Sequence, residues 1–254
     1  ELQPGTCVPA CFLNPAGKIE SFFLLGCETP DHYWLDLECT EGKPERTHLL
    51  TLLDRYIFAE KIEILETENG WAHAWELDVS PSDAFVSSAD CLRFTHGPRQ
   101  SVWTTASRLR EWGARAPLTG EMEAYRVEQL IPARGHEIDG KGSPLEVGLA
   151  DAVAPSKGCY PGQEVIEKII SLGSPAKRLV QIECHGSVEL GEIQDLATGS
   201  VIGKITTFAN APNGSKALGI VRKTHIQKDL EVVLKTSTQR IHGRIKAVAP
   251  FQTP

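Results

Sequence analysis

Five short β-rich segments fill the C-terminal third of the chain and strongly limit the folds open to it. They read RLVQIEC, SVIGKITTFA, KALGIVRK, DLEVVLKT and RIHGRIKAVA, and Gly, Asn or Asp residues separate them. Short strands at such even spacing are typical of a small antiparallel barrel. We therefore predict a C-terminal β-barrel over residues 175–254, beginning just after a boundary near the stretch LGSPAK at 172–177.

The chain before this boundary mixes strands and helices. Two strands flank a Pro-Gly turn, which is a hairpin signal, and the apolar residues of 44–57 recur at helical spacing. This order indicates an α+β layer and not a doubly wound parallel sheet. The predicted strands of this part are CVPACFL, IESFFLLGC, HYWLDLEC, KIEILE and WAHAWEL, and the turn reads NPAGK.

A second round of elements follows over residues 82–116 and beyond. DAFVSSA suggests a short helix, CLRFTHG and SVWTTAS suggest strands, and TGEMEAYRVEQLI suggests a helix. Thr119 is a candidate N-cap for that helix, because a threonine hydroxyl can accept a bond from its first turn. We therefore divide residues 1–174 into two subdomains, roughly 1–80 and 81–174, ahead of the barrel.

Composition excludes several classes of protein. The hydrophobic content is 41% and the charged content 23%, as in ordinary globular proteins. No apolar run reaches the length of about 18 residues that a membrane helix needs, and no signal peptide is visible. The first residue is not Met and falls inside a strand signal, so we expect further sequence upstream. Seven scattered cysteines without a Cys-x-x-Cys pair do not indicate a disulfide scaffold or a local zinc site.

Charge is unevenly distributed along the chain. Residues 157–254 carry 13 Lys and Arg against 8 Asp and Glu, although the whole chain has a net charge of −7. The overall balance argues against direct, nonspecific nucleic-acid binding. The basic C-terminal part could meet an anionic ligand or partner, or it could simply be a solvated surface.

The stretch KGCYPGQE at 157–164 is the most informative motif. It predicts a helix over roughly 162–170, with Cys159 just before its N-terminus and Lys157 nearby. Both features favour the thiolate, which is the reactive form of cysteine. The alternative is equally open on local grounds: a Gly-rich loop that caps the helix and holds an inert, buried Cys159.

A second motif, YRVEQLIPARGHEI, places Arg126 and Glu128 two residues apart. Such residues share a helix face only if the helix ends there. A carboxylate at a helix end could pair with a planar, amidine-like edge of a ligand, whereas the simpler alternative is a surface ion pair. The stretch SPLEVGL follows at 143–149.

Taken in order, R-x-E-x-x-I-P, P-x-E-x-G-L and K-G-C-Y-x-G-Q-E followed by a Gly-punctuated β-barrel resemble the YgfZ family. This family contains folate-binding relatives of the glycine cleavage T-protein, including mitochondrial iron–sulfur assembly factors. The hairpin FLNPAGKIESFF and the segment LLTLLDRYIFAEKIEI match the family too, so the resemblance covers nearly the whole chain. It implies a T-protein-like folate-binding α+β region, residues 1–174, followed by the small barrel, residues 175–254.

The resemblance also implies roles for individual residues. In T-protein relatives the Glu of the R-x-E helix end holds the aminopyrimidine edge of the pterin, and that position here is Glu128. In YgfZ-like proteins the signature Lys and Cys line the same region, so Lys157 and Cys159 are the candidate catalytic residues. The cofactor-binding candidates, for tetrahydrofolate or another reduced folate, are Glu128, Arg126, Tyr160, Gln163, Glu164 and Met122; no metal ligand is implied.

The chain departs from the family pattern at four places. Lys168 stands where an Arg is usual, Gln129 and Leu130 stand where Ala-Gly is usual, and Met122 falls near the pterin-stacking Trp of some members. The upstream segment with a T-x-D-type motif is not present.

Three functions remain open. The first, which we expect, is a folate-binding accessory protein for assembly or repair of iron–sulfur enzymes, including tRNA-modifying ones, acting through Cys159. The second is an aminomethyltransferase, which needs an acidic residue near the folate N5 where this chain offers Asn14. The third is a folate-binding scaffold without chemistry. We expect folate and iron–sulfur client or assembly proteins as partners, a monomer without membrane or nucleic-acid contacts, and a cytoplasmic location, with the mitochondrial matrix as the alternative.

Overall fold

The architecture is taken from a computed structural model of the chain. It describes residues 2–37, 44–67, 70–118, 120–154, 157–211 and 214–251. The strands are β1 Cys7–Leu13, β2 Ile19–Thr29, β3 His32–Asp36, β4 Trp71–Ser88, β5 Cys91–Thr105, β6 Lys177–Cys184, β7 Glu192–Asp195, β8 Val201–Ala209, β9 Ser215–Arg222, β10 Glu231–Lys235 and β11 Arg240–Val248. The helices are α1 Pro44–Asp54, α2 Ala106–Glu111, α3 Glu121–Gln129 and α4 Gln163–Ser171.

The chain forms two compact units. The first contains Glu1–Phe12 and Ser21–Ala116, and the second contains Leu13–Glu20 and Pro117–Pro254. No helix in the described ranges has both the length and the apolar character needed to cross a membrane.

The first unit is built on β-hairpins. Strands β1, β2 and β3 form one antiparallel sheet, and β4 pairs with β5 in a long two-stranded ribbon. The aromatic side chains of Phe85 and Phe94 lie directly opposite each other on that ribbon and are buried. They pack with Cys7, Leu24 and Leu92 into the core of this unit.

The second unit contains the barrel. Its six strands close in the order β10-β11-β6-β9-β8-β7, and every pair is antiparallel. Alternate residues along the strands point inward and fill the barrel. Among them are Val180, Ile182, Ile202 and Leu234, which are completely buried. Closure removes the exposed strand edges that an open sheet would leave. The predicted α+β fold with a C-terminal barrel is confirmed.

Helix α3 packs on the outside of the barrel, against β8 and β9. Its Val127 is fully buried in a cluster with Leu179 and Leu218. This packing fixes the C-terminal end of α3, where the candidate ligand-binding residues lie, on a rigid surface.

Two predicted elements are wrong. DAFVSSA is not a helix but part of β4, because pairing with β5 buries Phe85 against the core. KIEILE is not a strand: residues 61–66 have no regular secondary structure, and Ile62 and Leu65 are exposed. Its alternating pattern fits a strand, but in the described part of the chain no neighbouring strand pairs with it, and strands need such pairing.

Other boundaries shift slightly. Helix α1 ends at Asp54 instead of residue 57, and α4 spans 163–171 instead of 162–170. Strand β3 ends at Asp36, and the last residues of HYWLDLEC lie outside the described residues, as does the candidate N-cap Thr119. The short elements α2 and β7 had no sequence prediction.

Candidate functional site

The Pro-Gly turn between β1 and β2 is held by the side chain of Asn14. Its amide oxygen accepts hydrogen bonds from the backbone nitrogens of Ala16, at 2.9 Å, and Lys18, at 3.1 Å. The backbone of Asn14 also exchanges bonds with Gly17 and Lys18. Asn is well suited to such a turn because its side chain can replace a backbone acceptor.

The signature loop rests directly on this turn. A Cβ at Gly162 would lie 2.5 Å from the carbonyl oxygen of Asn14 and 2.7 Å from the Cα of Gly17. Gly162 also has a φ of 79°, in the left-handed region that glycine adopts without strain. Two of the sequence motifs, NPAGK and KGCYPGQE, are therefore in backbone contact, and the contact requires glycine.

The third motif joins the same turn through an ion pair. The ammonium of Lys18 lies 3.3 Å from the carboxylate of Glu146, which also accepts a bond from the backbone nitrogen of Ser143. The backbone nitrogen of Ile19 donates to the carbonyl of Gly142 at 3.1 Å. The turn, the signature loop and SPLEVGL thus form one connected structure within the second unit.

The signature loop presents its cysteine to solvent. Cys159 and Lys157 are both exposed, and the ammonium of Lys157 lies 5.1 Å from the ring centroid of Tyr160. Cys159 stands four positions before the first residue of α4. Of the two alternatives left open by the sequence, the structure excludes a buried Cys159.

Two other thiols differ sharply from Cys159. Burial raises the pKa of Cys7 to about 12 and that of Cys184 to about 11. For Cys7, the nearby carboxylates of Asp36 and Asp83 add to the effect of burial. Both thiols therefore stay protonated at neutral pH and act as small apolar side chains.

The polar residues at the start of α4 have local roles. Gln163 donates to the carboxylate of Glu167 at 2.7 Å, one turn further along the helix. Glu164 lies exposed in the first turn, where a negative charge suits the helix dipole. The N-cap is Gly162, which has no side chain to cap the helix.

Glu128 occupies the last turn of α3. Its side chain is half-exposed, and one carboxylate oxygen lies 2.5 Å from the ammonium of Lys216 on β9. The hydrogen bond from Lys216 to Glu128 raises the pKa of the lysine. The amide of Gln181, on β6, donates to the backbone carbonyls of Val127 and Glu128 and holds this helix end to the barrel.

The helix terminates immediately after Glu128 and Gln129. Leu130 adopts the left-handed conformation, with φ 55° and ψ 35°, and its backbone nitrogen donates to the carbonyl of Arg126. Arg126 and Glu128 do not pair with each other: they point to different partners. The surface ion pair offered by the sequence as the simpler alternative is thus not formed between these two residues.

Arg126 is instead a buried residue with a full set of partners. Its guanidinium donates to the carboxylates of Glu123 and Glu137, to the carbonyl of Ile131 and to the hydroxyl of Thr207, over 2.6–3.4 Å. Glu137 is completely buried and also accepts bonds from Thr207 and from the backbone of Ala133. This network fixes the loop that follows α3.

Sequence reasoning missed Lys216, Glu137 and the pairing of Lys18 with Glu146. Nothing in the local pattern marks Lys216, because its place beside Glu128 depends on the packing of α3 on the barrel. Glu137 follows Arg126 by 11 residues, and its position in a Gly-rich loop gave no sign of burial. Met122 is half-buried on α3.

Candidate metal ligands do not cluster in the part of the chain that the structure describes. Among the described residues, no group of three or more His, Cys, Asp or Glu side chains is arranged to hold a metal ion. Glu128 is bonded to Lys216 of the barrel, and Gly162 of the signature loop contacts the backbone of the turn at 14–18.

Comparison with known proteins relates the chain to aminomethyltransferases. No protein-family model matches it. A chloroplastic protein of Arabidopsis thaliana, whose name proposes a transferase, is 31% identical over 124 residues, which cover 49% of this chain and 28% of that protein. An aminomethyltransferase of Symbiobacterium thermophilum is 30% identical over 139 residues, which cover 53% of this chain and 37% of that protein. The chain therefore spans about a third of the length of these relatives.

A solved structure shows the same fold. The glycine cleavage system aminomethyltransferase T from Bartonella henselae superposes with a TM-score of 0.79 at 14% identity, over 99% of this chain and 77% of that one. The fold of the chain is therefore T-protein-like, as the motifs predicted.

Proposed function

We propose that this protein binds a reduced folate, such as tetrahydrofolate, and supports the assembly or repair of iron–sulfur enzymes, including tRNA-modifying ones. The observation that carries the folate part is the half-exposed carboxylate of Glu128 at the end of a helix fixed on the barrel. The T-protein-like fold and the similarity to aminomethyltransferases support it.

The chemistry of Glu128 suits a pterin. The aminopyrimidine edge of a reduced folate carries two parallel N–H groups, and a carboxylate can accept both in a bidentate arrangement. The side-chain amide of Gln181 donates to the backbone carbonyls of Val127 and Glu128, so the helix end that carries the carboxylate is held in place before the ligand arrives. Arg126 is too deeply engaged with Glu137 to serve as a direct contact, so we assign it to holding this loop.

Cys159 is the residue we propose for contact with client proteins. It is exposed, and the loop that carries it is anchored by the glycine contact at Gly162. A thiolate there could coordinate a cluster in transit or attack a disulfide of the client. On this proposal the clients are iron–sulfur enzymes or their assembly proteins, and the protein acts as a monomer in the cytoplasm or the mitochondrial matrix.

The second candidate is an aminomethyltransferase, which the names of the relatives favour. The turn geometry argues against it. Asn14 cannot ionise, and its amide oxygen already accepts two backbone bonds. The nearby Glu146 is mostly buried and is paired with Lys18. A non-catalytic folate-binding scaffold is the third possibility.

Calorimetric titration of tetrahydrofolate tests the folate proposal. We expect the native protein to bind and Glu128→Ala to lose binding, because the pterin edge would face no acceptor. Glu76→Ala is the matched control, since Glu76 is a comparably exposed glutamate that is paired with Arg93 in the first unit. No binding by the native protein would overturn the folate proposal.

A cellular experiment separates the three functions. In cells that depend on this protein, Cys159→Ser should lower the activity of iron–sulfur enzymes, whereas Cys91→Ser, a half-buried control, should not. Full activity with Cys159→Ser would support the scaffold. Formation of methylene-tetrahydrofolate from an aminomethyl-lipoyl carrier by the purified protein would establish the aminomethyltransferase.

A further inference from the structure

Lys216 lies between two carboxylates that come from different parts of the second unit. Its ammonium is 2.5 Å from Glu128 of α3 and 3.5 Å from Glu183 of β6. Lys216 and Glu183 are directly opposite each other in the β6–β9 pairing, so the barrel fixes their separation. Glu128 is brought to the same lysine by the packing of α3 outside the barrel.

The pair continues into a row of alternating charges. Glu183 also lies 3.7 Å from Lys246 on β11, and Lys246 lies 3.7 Å from Asp229. All of these side chains are between about a third and three fifths exposed, with values from 35% for Lys216 to 56% for Asp229. Lys216 therefore has a second acceptor within reach when its bond to Glu128 breaks.

We propose that Lys216 is the counter-ion that the ligand displaces from Glu128, and that Glu183 receives the displaced ammonium. This inference rests on the proposed folate site. Lys216 occupies the carboxylate oxygen Oε2 of Glu128, which a bidentate pterin edge would also use, so the lysine and the ligand compete for that oxygen. The second carboxylate lets Lys216 withdraw without leaving its charge uncompensated.

The cost of this exchange is small because the pair is exposed. Exposed ion pairs change an equilibrium constant by at most about fivefold. The resting pair would therefore lower the affinity for the ligand only modestly, while it keeps Glu128 in place in the empty protein. Without Glu183, the lysine would be held on Glu128 more firmly.

The arrangement also limits the chemical class of the ligand. A cationic head group would be repelled by Lys216, which stays close by on Glu183. An anion would pair with Lys216 and leave Glu128 unused. A neutral edge with two N–H donors satisfies Glu128 and leaves the lysine with its second partner, which is the character of an aminopyrimidine.

Tetrahydrofolate affinities of three variants test the exchange. We expect Lys216→Met to bind two- to fivefold more tightly than the native protein, and Glu183→Gln to bind more weakly. In the double variant the effect of Glu183→Gln should vanish, because it acts only through Lys216. Lys204→Met is the control and should leave the affinity unchanged. It removes an exposed lysine of barrel strand β8, which is paired with Asp139.

The salt dependence gives a second readout. Salt weakens exposed ion pairs, so the difference in affinity between the native protein and Lys216→Met should shrink as the ionic strength rises. Unchanged or weaker binding by Lys216→Met, or an effect of Glu183→Gln that persists in the double variant, would overturn the exchange while leaving the folate site intact. Absence of binding in every protein would overturn the folate site and the exchange with it.

Discussion

The Cα of Gly17 lies so close to Gly162 that no side chain fits at residue 162. The two residues come from the two separate chain segments of the second unit, and a Cβ at Gly162 would approach that Cα to 2.7 Å. Atoms at this distance overlap, so the contact requires that residue 162 is glycine. It places the cysteine-bearing loop on the turn formed by Asn14.

Replacing Gly162 by Ala should therefore destabilise the protein. The added methyl group meets backbone atoms of Asn14 and Gly17, which cannot move aside like a flexible side chain, and the left-handed conformation adds about 1 kcal/mol. We expect a loss of about 2–4 kcal/mol in the free energy of unfolding, measured with urea.

Gly158, in the same motif, is the matched control. A Cβ there would have no atom within 4 Å, so Gly158→Ala should change the stability by less than about 0.5 kcal/mol. Equal effects of the two substitutions would show that the glycine contact does not hold the loop.

At position 130 we expect glycine to give a more stable protein than alanine. This is the reverse of the usual order of stability for helix-end residues in other conformations. Its φ of 55° is strained for any side chain, and its Leu side chain packs on the cluster around Val127 and Leu179. Both Leu130→Ala and Leu130→Gly lose that packing, but only the glycine variant is relieved of strain. We expect Leu130→Gly to be more stable than Leu130→Ala by about 1 kcal/mol in urea unfolding.

An alanine variant as stable as the glycine variant would contradict a left-handed Leu130. The family that the sequence motifs resemble usually has Gly at the position of Leu130, and Gly fits this backbone conformation. The leucine therefore strains the backbone, but its side chain makes apolar contacts with the barrel.

Cys159 should be the first of three thiols to react. It is exposed, whereas Cys7 and Cys184 are buried with pKa values of about 12 and about 11. A raised pKa keeps a thiol protonated until the pH approaches that value, so both buried thiols are unreactive at pH 8. Brief alkylation of the folded protein with iodoacetamide, mapped by mass spectrometry, should label Cys159 and spare the other two.

Denaturant provides the control for this experiment, because all three thiols should then be labelled. Rapid labelling of Cys184 in the folded protein would contradict its burial inside the barrel.

Local patterns predicted the barrel but not the contacts of the site. In each long barrel strand apolar residues alternate with others, and Gly or Asn residues separate one strand from the next. Strand β7, Glu192–Asp195, has only four residues, which is too short for such a pattern to be detected. The helix end at Glu128 was also predictable, because Arg126 and Glu128 are two residues apart and can face the same side only if the helix ends there. Their partners depend on which strands meet, and strand pairing over long sequence separations leaves no local signal.

The two wrong elements have the same origin. The segments 61–66 and 83–89 were interpreted from their own residues, yet pairing decides whether a β pattern becomes a strand. Phe85 lies opposite Phe94 in the β4–β5 ribbon. Ile62 is exposed, and no strand among the described residues pairs with its segment. The division of residues 1–174 into two subdomains and the individual ligand contacts stay predictions.

Glu137 should be essential for stability, although no sequence pattern marked it. Its carboxylate is fully buried and is the buried counter-charge of Arg126, whose guanidinium is only 6% exposed. Glu137→Ala would leave that guanidinium buried with one remaining carboxylate, Glu123, at the surface. Removing one partner of a buried pair costs about 3–5 kcal/mol, so we expect a loss of this size in urea unfolding.

Glu123→Ala is the matched control, because it removes the other carboxylate bound to the same guanidinium. The side chain of Glu123 is 40% exposed, so water can replace it and the loss should stay below about 1 kcal/mol. Glu137→Gln should fall between the two, since the amide oxygen can still accept from Arg126 but carries no charge. A loss for Glu137→Ala no larger than that for Glu123→Ala would show that the buried pair does not stabilise the loop after α3.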